Sequence, residues 1–289
     1  MVWEIFKTFR KIALFISVKL QRIFVMKLID THAHLYSKKF DSDRAEMIER
    51  AVSRGIEQFY LPNIDSESIA AMLTLEEAYP DRCFAMMGLH PCSVQENFEE
   101  ELATVRSWLD KRAFCAIGEI GIDLYWDKTT LPIQEIAFRR QIEWALEFDL
   151  PIVIHAREST DEILTILESI PDNRLRGIFH CFTGDRRQAE RAIERGFYLG
   201  IGGVLTFKNA GLDKTIAEID LKHLVLETDA PYLAPVPKRG KRNESAYVYF
   251  VAEKLAEIKS ISLEEIAEVT TANAEKIFAQ RPQRQVLSS

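Results

Sequence analysis

From Met26 onward the chain alternates short, nearly continuous apolar runs with longer stretches whose apolar positions recur at i, i+3 and i+4. The short runs are Lys27–Thr31, Gln58–Pro62, Cys83–Gly88, Phe114–Gly118, Ile152–His155, Gly177–His180, Tyr198–Gly202 and Leu224–Glu227. They are brief and rich in Ile, Val, Leu and Phe, as strands covered on both faces of a parallel sheet must be. The helical spacing covers Arg44–Arg54, Glu100–Lys111, Gln134–Phe148, Thr160–Ile170 and Arg187–Arg195. Gly55 and Gly196 stand where a helix stop is expected. Eight strand–helix units in series predict an α/β fold, a single (β/α)8 TIM-type barrel, in preference to a doubly wound sheet. No GxGxxG or GxxxxGK[ST] loop occurs, which weakens a nucleotide-binding sheet further. Glu244–Leu255 and Leu263–Gln280 are expected to close the barrel domain, which spans 26–280, and 281–289 reads as a polar tail.

Residues 1–25 depart from this pattern. They are basic and rich in large apolar side chains, but their longest apolar run, Ile12–Val18, is too short to span a bilayer. A basic amphipathic helix resting on a membrane or partner is one reading. The favoured expectation is that translation starts at Met26 and the upstream residues are a misassigned extension. The whole chain's composition, 47% apolar and 28% charged, is that of a protein with a substantial core. A net charge of −7 argues against broad non-specific wrapping of nucleic acid, yet leaves room for a local basic cleft. The four cysteines show no CxxC spacing, and three lie in or beside apolar runs, which suits reduced, buried thiols. A cytoplasmic monomer without stable membrane insertion is expected.

The candidate chemistry gathers at one end of the predicted strands. His32 and His34 close the first strand, His90 follows the third and Glu119 the fourth. His155 and His180 end the fifth and sixth, and Asp229 follows the eighth. A lone histidine after a strand is more often a satisfied core residue than a ligand. Five of the six histidines at strand C-terminal ends, which converge on one rim of a parallel barrel, point instead to a metal site. His223 precedes the last strand, at the other end, and reads as structural. Four imidazoles and two carboxylates exceed what one tetrahedral zinc needs and suit two divalent ions bridged by a carboxylate such as Glu119. Such a pair polarises the scissile centre and activates a water, with Asp229 as ligand and base. Imidazole-rich sites take Zn²⁺, Mn²⁺ or Fe²⁺; Mg²⁺ or Mn²⁺ is expected in turnover, with Zn²⁺ able to occupy the site. Cys181, next to His180, reads as packing in preference to a reactive thiolate.

The segments IDTHAHLY, GLHPC, GEIGID, PIVIHAR, FHCFTG and ETDAPYLAPVPKRGKRNE closely resemble those of the TatD family of metal-dependent deoxyribonucleases, over Met26 to about Phe278. The resemblance implies a TIM-type barrel of the amidohydrolase superfamily that hydrolyses phosphodiester bonds, often from the 3′ end of DNA. It implies His32, His34, Glu119, His155, His180 and Asp229 as metal ligands, and His90 as a cleft residue meeting substrate phosphate. Two positions depart from the family pattern: Ser245 stands where Pro is usual, and Leu124 where an aromatic residue is common. Ser245 is expected to alter the start of the next helix and Leu124 a packing contact.

The supporting residues carry paired readings. Lys238, Arg239, Lys241 and Arg242 form a basic loop after the Asp229 strand; a solvated charge run is the default, and the rim position favours phosphate contact. Arg157, two residues beyond His155, pairs either with a phosphate or with a structural carboxylate. Tyr36, Tyr125, Trp126 and Tyr232 either stack bases or pack the rim. The leading expectation is a two-metal 3′-exonuclease acting on DNA, with RNA as a further substrate, at single-stranded or frayed ends. The first alternative is hydrolysis of another ester or amide, such as a D-aminoacyl-tRNA. Many wider relatives use a carboxylated lysine at the strand-four position, so Glu119 tilts this choice towards the nuclease. A metal-stabilised nucleic-acid-binding scaffold is the third reading.

Overall fold

The computed structural model describes residues 26–279. The expectations for 1–25 and 281–289, and the last residue of the predicted final helix, lie outside the described residues. Eight parallel strands appear in order: β1 (Leu28–Asp30), β2 (Ile56–Leu61), β3 (Cys83–Ala85), β4 (Ile117–Asp123), β5 (Ile152–Arg157), β6 (Gly177–Phe179), β7 (Phe197–Ile201) and β8 (Leu224–Leu226). The helices are α1 (Arg44–Val52), α2 (Ile69–Ala78), α3 (Phe98–Lys111), α4 (Leu131–Glu147), α5 (Thr160–Glu168), α6 (Arg186–Glu194), α7 (Leu212–Glu218), α8 (Val248–Lys259) and α9 (Leu263–Ile277). The TIM-type barrel is as expected, and α2 and α7 are helices for which the sequence pattern gave no individual range. Among the described residues, no helix is long and apolar enough to cross a membrane.

The strands pair as β1-β2-β3 and β4-β5-β6-β7-β8. Isolated bridges, Met87 with Ile117 and Ala33 with Ala230, join the two sheets at both seams in place of continuous ladders. At the β8–β1 seam the His34 amide donates to the Ala230 carbonyl (2.7 Å) and the Asp229 amide to the His32 carbonyl (2.9 Å). The seam therefore fixes three candidate ligands relative to one another. Beneath it lies Asp30, fully buried, whose carboxylate accepts from the Thr228 amide (2.9 Å), the Thr228 hydroxyl (2.6 Å) and the Ser245 hydroxyl (2.6 Å). Burial pushes its pKa up to about 7 against the pull of these donors. Ser245 thus contributes a hydrogen bond that proline could not, and it lies in a short 3-10 turn, Ser245–Tyr247, that delays α8 until Val248.

Two apolar layers follow from strand alternation. Phe59, Leu61, Ile152, Ile154, Phe179, Leu224 and Leu226 belong to the large core shared with the helices. Tyr60, Val153, Ile178 and Val225 belong to a second cluster. Ala274 and Ile277 of α9 join it, followed by Phe278, whose ring stacks on Tyr60 at 3.8 Å. His155, His180 and Glu227 each stand two residues beyond an alternate-face residue of that second cluster. The strand period carries each into the same interior.

Candidate metal centre

The site lines a cavity of about 610 Å³ whose walls include His34, His90, Glu119, Asp123, His155, His180 and Asp229. One correction concerns β4: it runs Ile117–Asp123, three residues later than its predicted start, so Glu119 lies inside the strand and does not follow it. The face carrying Glu119 continues through Gly121 to Asp123. Gly121 has φ +146°, and a Cβ there would lie 2.0 Å from the His155 carbonyl, so the close approach of β4 to β5 requires glycine.

Glu119 is the hub. Its Oε1 lies 2.8 Å from His155 Nδ1, 3.3 Å from His180 Nε2 and 3.4 Å from His90 Nε2. Its Oε2 lies 3.2 Å from His32 Nε2 and 3.5 Å from His34 Nε2. Asp229 Oδ1 stands 3.5 Å from His34 Nε2 and 3.9 Å from His32 Nε2. The potential ligand atoms form three overlapping groups, each within 4.8 Å: His32–Glu119–His180, His32–His34–Asp229 and His90–Glu119–His155. Burial would raise the Glu119 carboxyl, but the surrounding imidazoles hold it well below its usual range, and Asp229 is likewise lowered against its burial by His34 and its neighbours. Both carboxylates are therefore ionised and ready as acceptors.

Four of the five imidazoles, those of His34, His90, His155 and His180, are oriented by a hydrogen-bond partner. His34 Nδ1 is 2.9 Å from the Tyr36 hydroxyl, which donates its own proton to the Pro62 carbonyl. Nδ1 of His34 therefore carries the ring proton and leaves Nε2 free. Tyr36 is buried in this role, so packing, not base stacking, is its task. His180 Nδ1 donates to Glu227 Oε1 (3.0 Å), and burial notwithstanding, the Glu227 and Glu119 carboxylates hold this imidazole up at about 10. His155 bridges Glu119 through Nδ1 and Asp123 through Nε2 (2.9 Å). His155 is raised against its burial by these two contacts, while Asp123, also opposing burial, is lowered to about 2 by His155.

His32 differs: both ring nitrogens are buried without a hydrogen-bond partner, and burial together with the His180 ring stacked at 3.5 Å lowers its pKa. A neutral, fully buried imidazole with no hydrogen bond is costly unless something else binds it. A divalent cation fits that position, and the surrounding donor set of imidazoles and carboxylates suits one.

His90 sits apart in chemistry. Its Nδ1 accepts from the Cys92 amide (3.0 Å), so the neutral ring carries its proton on Nε2, directed towards Glu119. That nitrogen can donate to an anion and cannot ligate a metal in the same tautomer.

A family model described as TatD related DNase matches residues 29–279. The chain belongs to the TatD family. The metal-dependent hydrolase YabD of Bacillus subtilis is 42% identical over 252 residues, covering 87% of this chain and 98% of its own. The 3'-5' ssDNA/RNA exonuclease TatD of Salmonella typhimurium is 31% identical, covering 87% and 98% respectively. The crystal structure of the Escherichia coli TatD homologue YjjV superposes with a TM-score of 0.84 at 30% identity, covering 89% of this chain and all of its own. The chain is accordingly a metal-dependent hydrolase.

Two residues that hold candidate ligands, Asp123 on His155 and Glu227 on His180, escaped the sequence reading. The signal that could have found them is strand spacing: Asp123 is four residues beyond Glu119 on one strand face, and Glu227 is two beyond Val225. The basic loop, Lys238, Arg239, Lys241 and Arg242, stands outside the cavity lining. Arg242 is engaged by Asp43 (2.6 and 2.7 Å), which also pairs with Arg50, itself bonded to Glu244. Arg239 lies over Phe207, and Lys238 lies 5.4 Å from the Tyr247 ring centre. Arg157 and Trp126 do line the cavity. Cys181 also faces it, but burial and nearby carboxylates raise its thiol well above the usual range, which leaves it a poor nucleophile. Of the other cysteines, Cys83 and Cys115 are buried while Cys92 is exposed.

Proposed function

We propose that this protein hydrolyses phosphodiester bonds of single-stranded or frayed DNA, and of RNA, from the 3′ end, using two divalent ions. The carrying observation is Glu119, one carboxylate shared among five imidazoles in overlapping ligand groups. His32, His34 and Asp229 would hold one ion and His155 with His180 the other, with Glu119 reaching both. Mg²⁺ or Mn²⁺ is the proposed working metal, with Zn²⁺ able to bind. Ions held there polarise the phosphoryl group and lower the pKa of an attacking water. Asp229, held ionised and lining the cavity, takes the proton from that water. His90 Nε2–H donates to a phosphate oxygen, and Arg157 at the cavity wall offers a second cationic contact. The nucleic-acid part of the reading is supported by the Salmonella relative's activity. The test incubates metal-loaded protein with end-labelled single-stranded DNA, in parallel with D-aminoacyl-tRNA, beside Asp229→Asn. Shortening from the 3′ end by wild type and not by the variant is expected. Equal cutting by both proteins would show a contaminant, and deacylation without strand cutting would replace the nuclease reading.

A further inference from the structure

The cavity mouth carries large aromatic surface that the core does not use. Trp126 is 72% exposed and Tyr125 50%, and their rings meet edge-to-face at 4.9 Å. Burial drives such side chains inward, so an exposed adjacent pair on a functional rim marks a contact surface. The pair is held in place: Asp123 Oδ1 accepts from the amides of Tyr125 (3.0 Å) and Trp126 (3.4 Å), while its Oδ2 holds His155. The aromatic loop and a candidate ligand thus share one anchor. Arg157 lies 3.7 Å from the Tyr125 ring centre and 5.5 Å from that of Trp126, and among the described residues no carboxylate pairs with it. The structural ion pair that the sequence allowed for Arg157 is therefore absent there.

A second arrangement of the same kind stands across the mouth. Tyr232, 45% exposed, has its ring 6.1 Å from that of His34, and Lys39 Nζ lies 4.4 Å from its centre. Among the described residues Lys39 also has no carboxylate partner. Tyr125 and Trp126 follow β4 and Arg157 ends β5, whereas Tyr232 follows β8 and Lys39 follows β1. In a ring of eight strands, β4 and β5 face β8 and β1. The metal centre lies between the two.

We propose that Trp126 with Tyr125 and Arg157, and Tyr232 with Lys39, are two base-stacking platforms that receive unpaired nucleobases on either side of the scissile phosphate. This rests on the nucleic-acid reading above and adds how the strand is selected. A ring offers a surface to any base, and the cation beside it meets the adjoining phosphate. Bases inside a duplex have both faces covered by their neighbours, so only a single strand or a frayed end can engage both rims.

The test measures binding, apart from turnover. A fluorescent oligothymidylate with a cleavage-resistant phosphorothioate backbone is titrated with metal-loaded protein, alongside an abasic strand of equal length, and followed by anisotropy. Wild type is expected to prefer the base-bearing strand. Trp126→Ala and Tyr232→Ala should each weaken that strand by roughly 5- to 150-fold, the range of stacking one base on one ring. Both should leave the abasic strand's Kd in place, and Trp126→Phe should retain most of the affinity. Equal Kd for the two strands in wild type, or an unchanged Kd in both alanine variants with native circular dichroism, would overturn the proposal. Cutting is scored separately on an ordinary backbone. Ring-dependent binding without cutting in Mg²⁺ or Mn²⁺ refutes the nuclease reading and keeps the platforms; cutting that ignores ring truncation does the reverse.

Discussion

Gly200→Ala is expected to damage the site without touching a ligand. A Cβ at this position would lie 2.2 Å from Glu227 Oε2, 3.0 Å from Glu227 Cδ and 3.2 Å from the His180 Cα. Ordinary contact begins near 3.4 Å, so the carboxylate must retreat by more than 1 Å, or the backbone of β7 must move. Glu227 has nowhere free to go: it is fully buried, and its Oε1 already accepts from His180 Nδ1 (3.0 Å) and the Cys181 amide (2.7 Å). Moving it breaks both bonds, each a hydrogen bond to a charged group that contributes about 1.5–3 kcal/mol. Partial relaxation of β7 reduces the loss, so about 3–5 kcal/mol of destabilisation is expected in metal-free protein. Urea unfolding followed by near-ultraviolet circular dichroism measures it, and the slope should stay constant. Because Glu227 sets the proton and angle of His180, metal affinity measured by titration calorimetry should also fall by roughly 10- to 100-fold. The double variant Gly200→Ala/Glu227→Ala supplies the decisive comparison. With the carboxylate gone the added methyl has space, so Gly200→Ala should cost far less in that background. Additive losses, or a single-variant loss below about 1 kcal/mol, would refute the clash as the cause.

Glu119→Gln should abolish metal binding, measured by mass spectrometry of the native protein, and lower activity at least as far as the roughly 10²- to 10⁴-fold expected of Asp229→Asn. Removal of metal by a chelator should stop turnover, and Mg²⁺ or Mn²⁺ should restore it; activity that survives exhaustive chelation would contradict the two-ion reading. Asp123 is held at about 2 in the folded state against 3.8 ordinarily, so its contribution is present above pH 4 and lost as pH falls through about 2. That difference is worth about 2 kcal/mol, and the acid unfolding curve of metal-free Asp123→Asn should be flatter than that of wild type by this amount over that window. Arg242→Ala should cost about 1–2 kcal/mol through loss of its two contacts to Asp43, while KM for a strand stays as in wild type; a tenfold rise in KM would return Arg242 to substrate binding.

How far the sequence reached depended on whether a residue's role was set by its own strand or by distant chain. The barrel was legible because buried parallel strands are apolar at consecutive positions. Val153-Ile154-His155 and Ile178-Phe179-His180 showed where the apolar run ended and the polar rim began. Boundaries were less legible: Phe114-Cys115-Ala116 is as apolar as the strand it precedes, and these residues are buried for packing while the ladder starts at Ile117. The basic loop was ambiguous for a physical reason. A run of cations has no period that distinguishes a phosphate-binding edge from an ion-pair network. Only the fold shows that Asp43, nearly 200 positions away in sequence, reaches Arg242.

The same limit hid the polar residues beneath the ligands. Asp30, Asp123 and Glu227 are acidic residues in short motifs already occupied by more conspicuous chemistry, and their partners come from other strands. Asp30 holds Thr228 and Ser245, Asp123 holds His155, and Glu227 holds His180. Each is almost fully buried. A carboxylate in such a position is tolerated only when donors converge on it, and most of these donors lie in the segments that carry the ligands. The cost of burying these three carboxylates is therefore coupled to the precision of the site. Apolar replacements that fill the same volumes would strand these buried donors and leave the histidines without fixed tautomers or angles. Stability and catalysis should thus fall together at these positions: Asp123→Leu leaves the Tyr125 amide and His155 Nε2 without their acceptor, so the fold loses stability and His155 loses its orientation toward the ions.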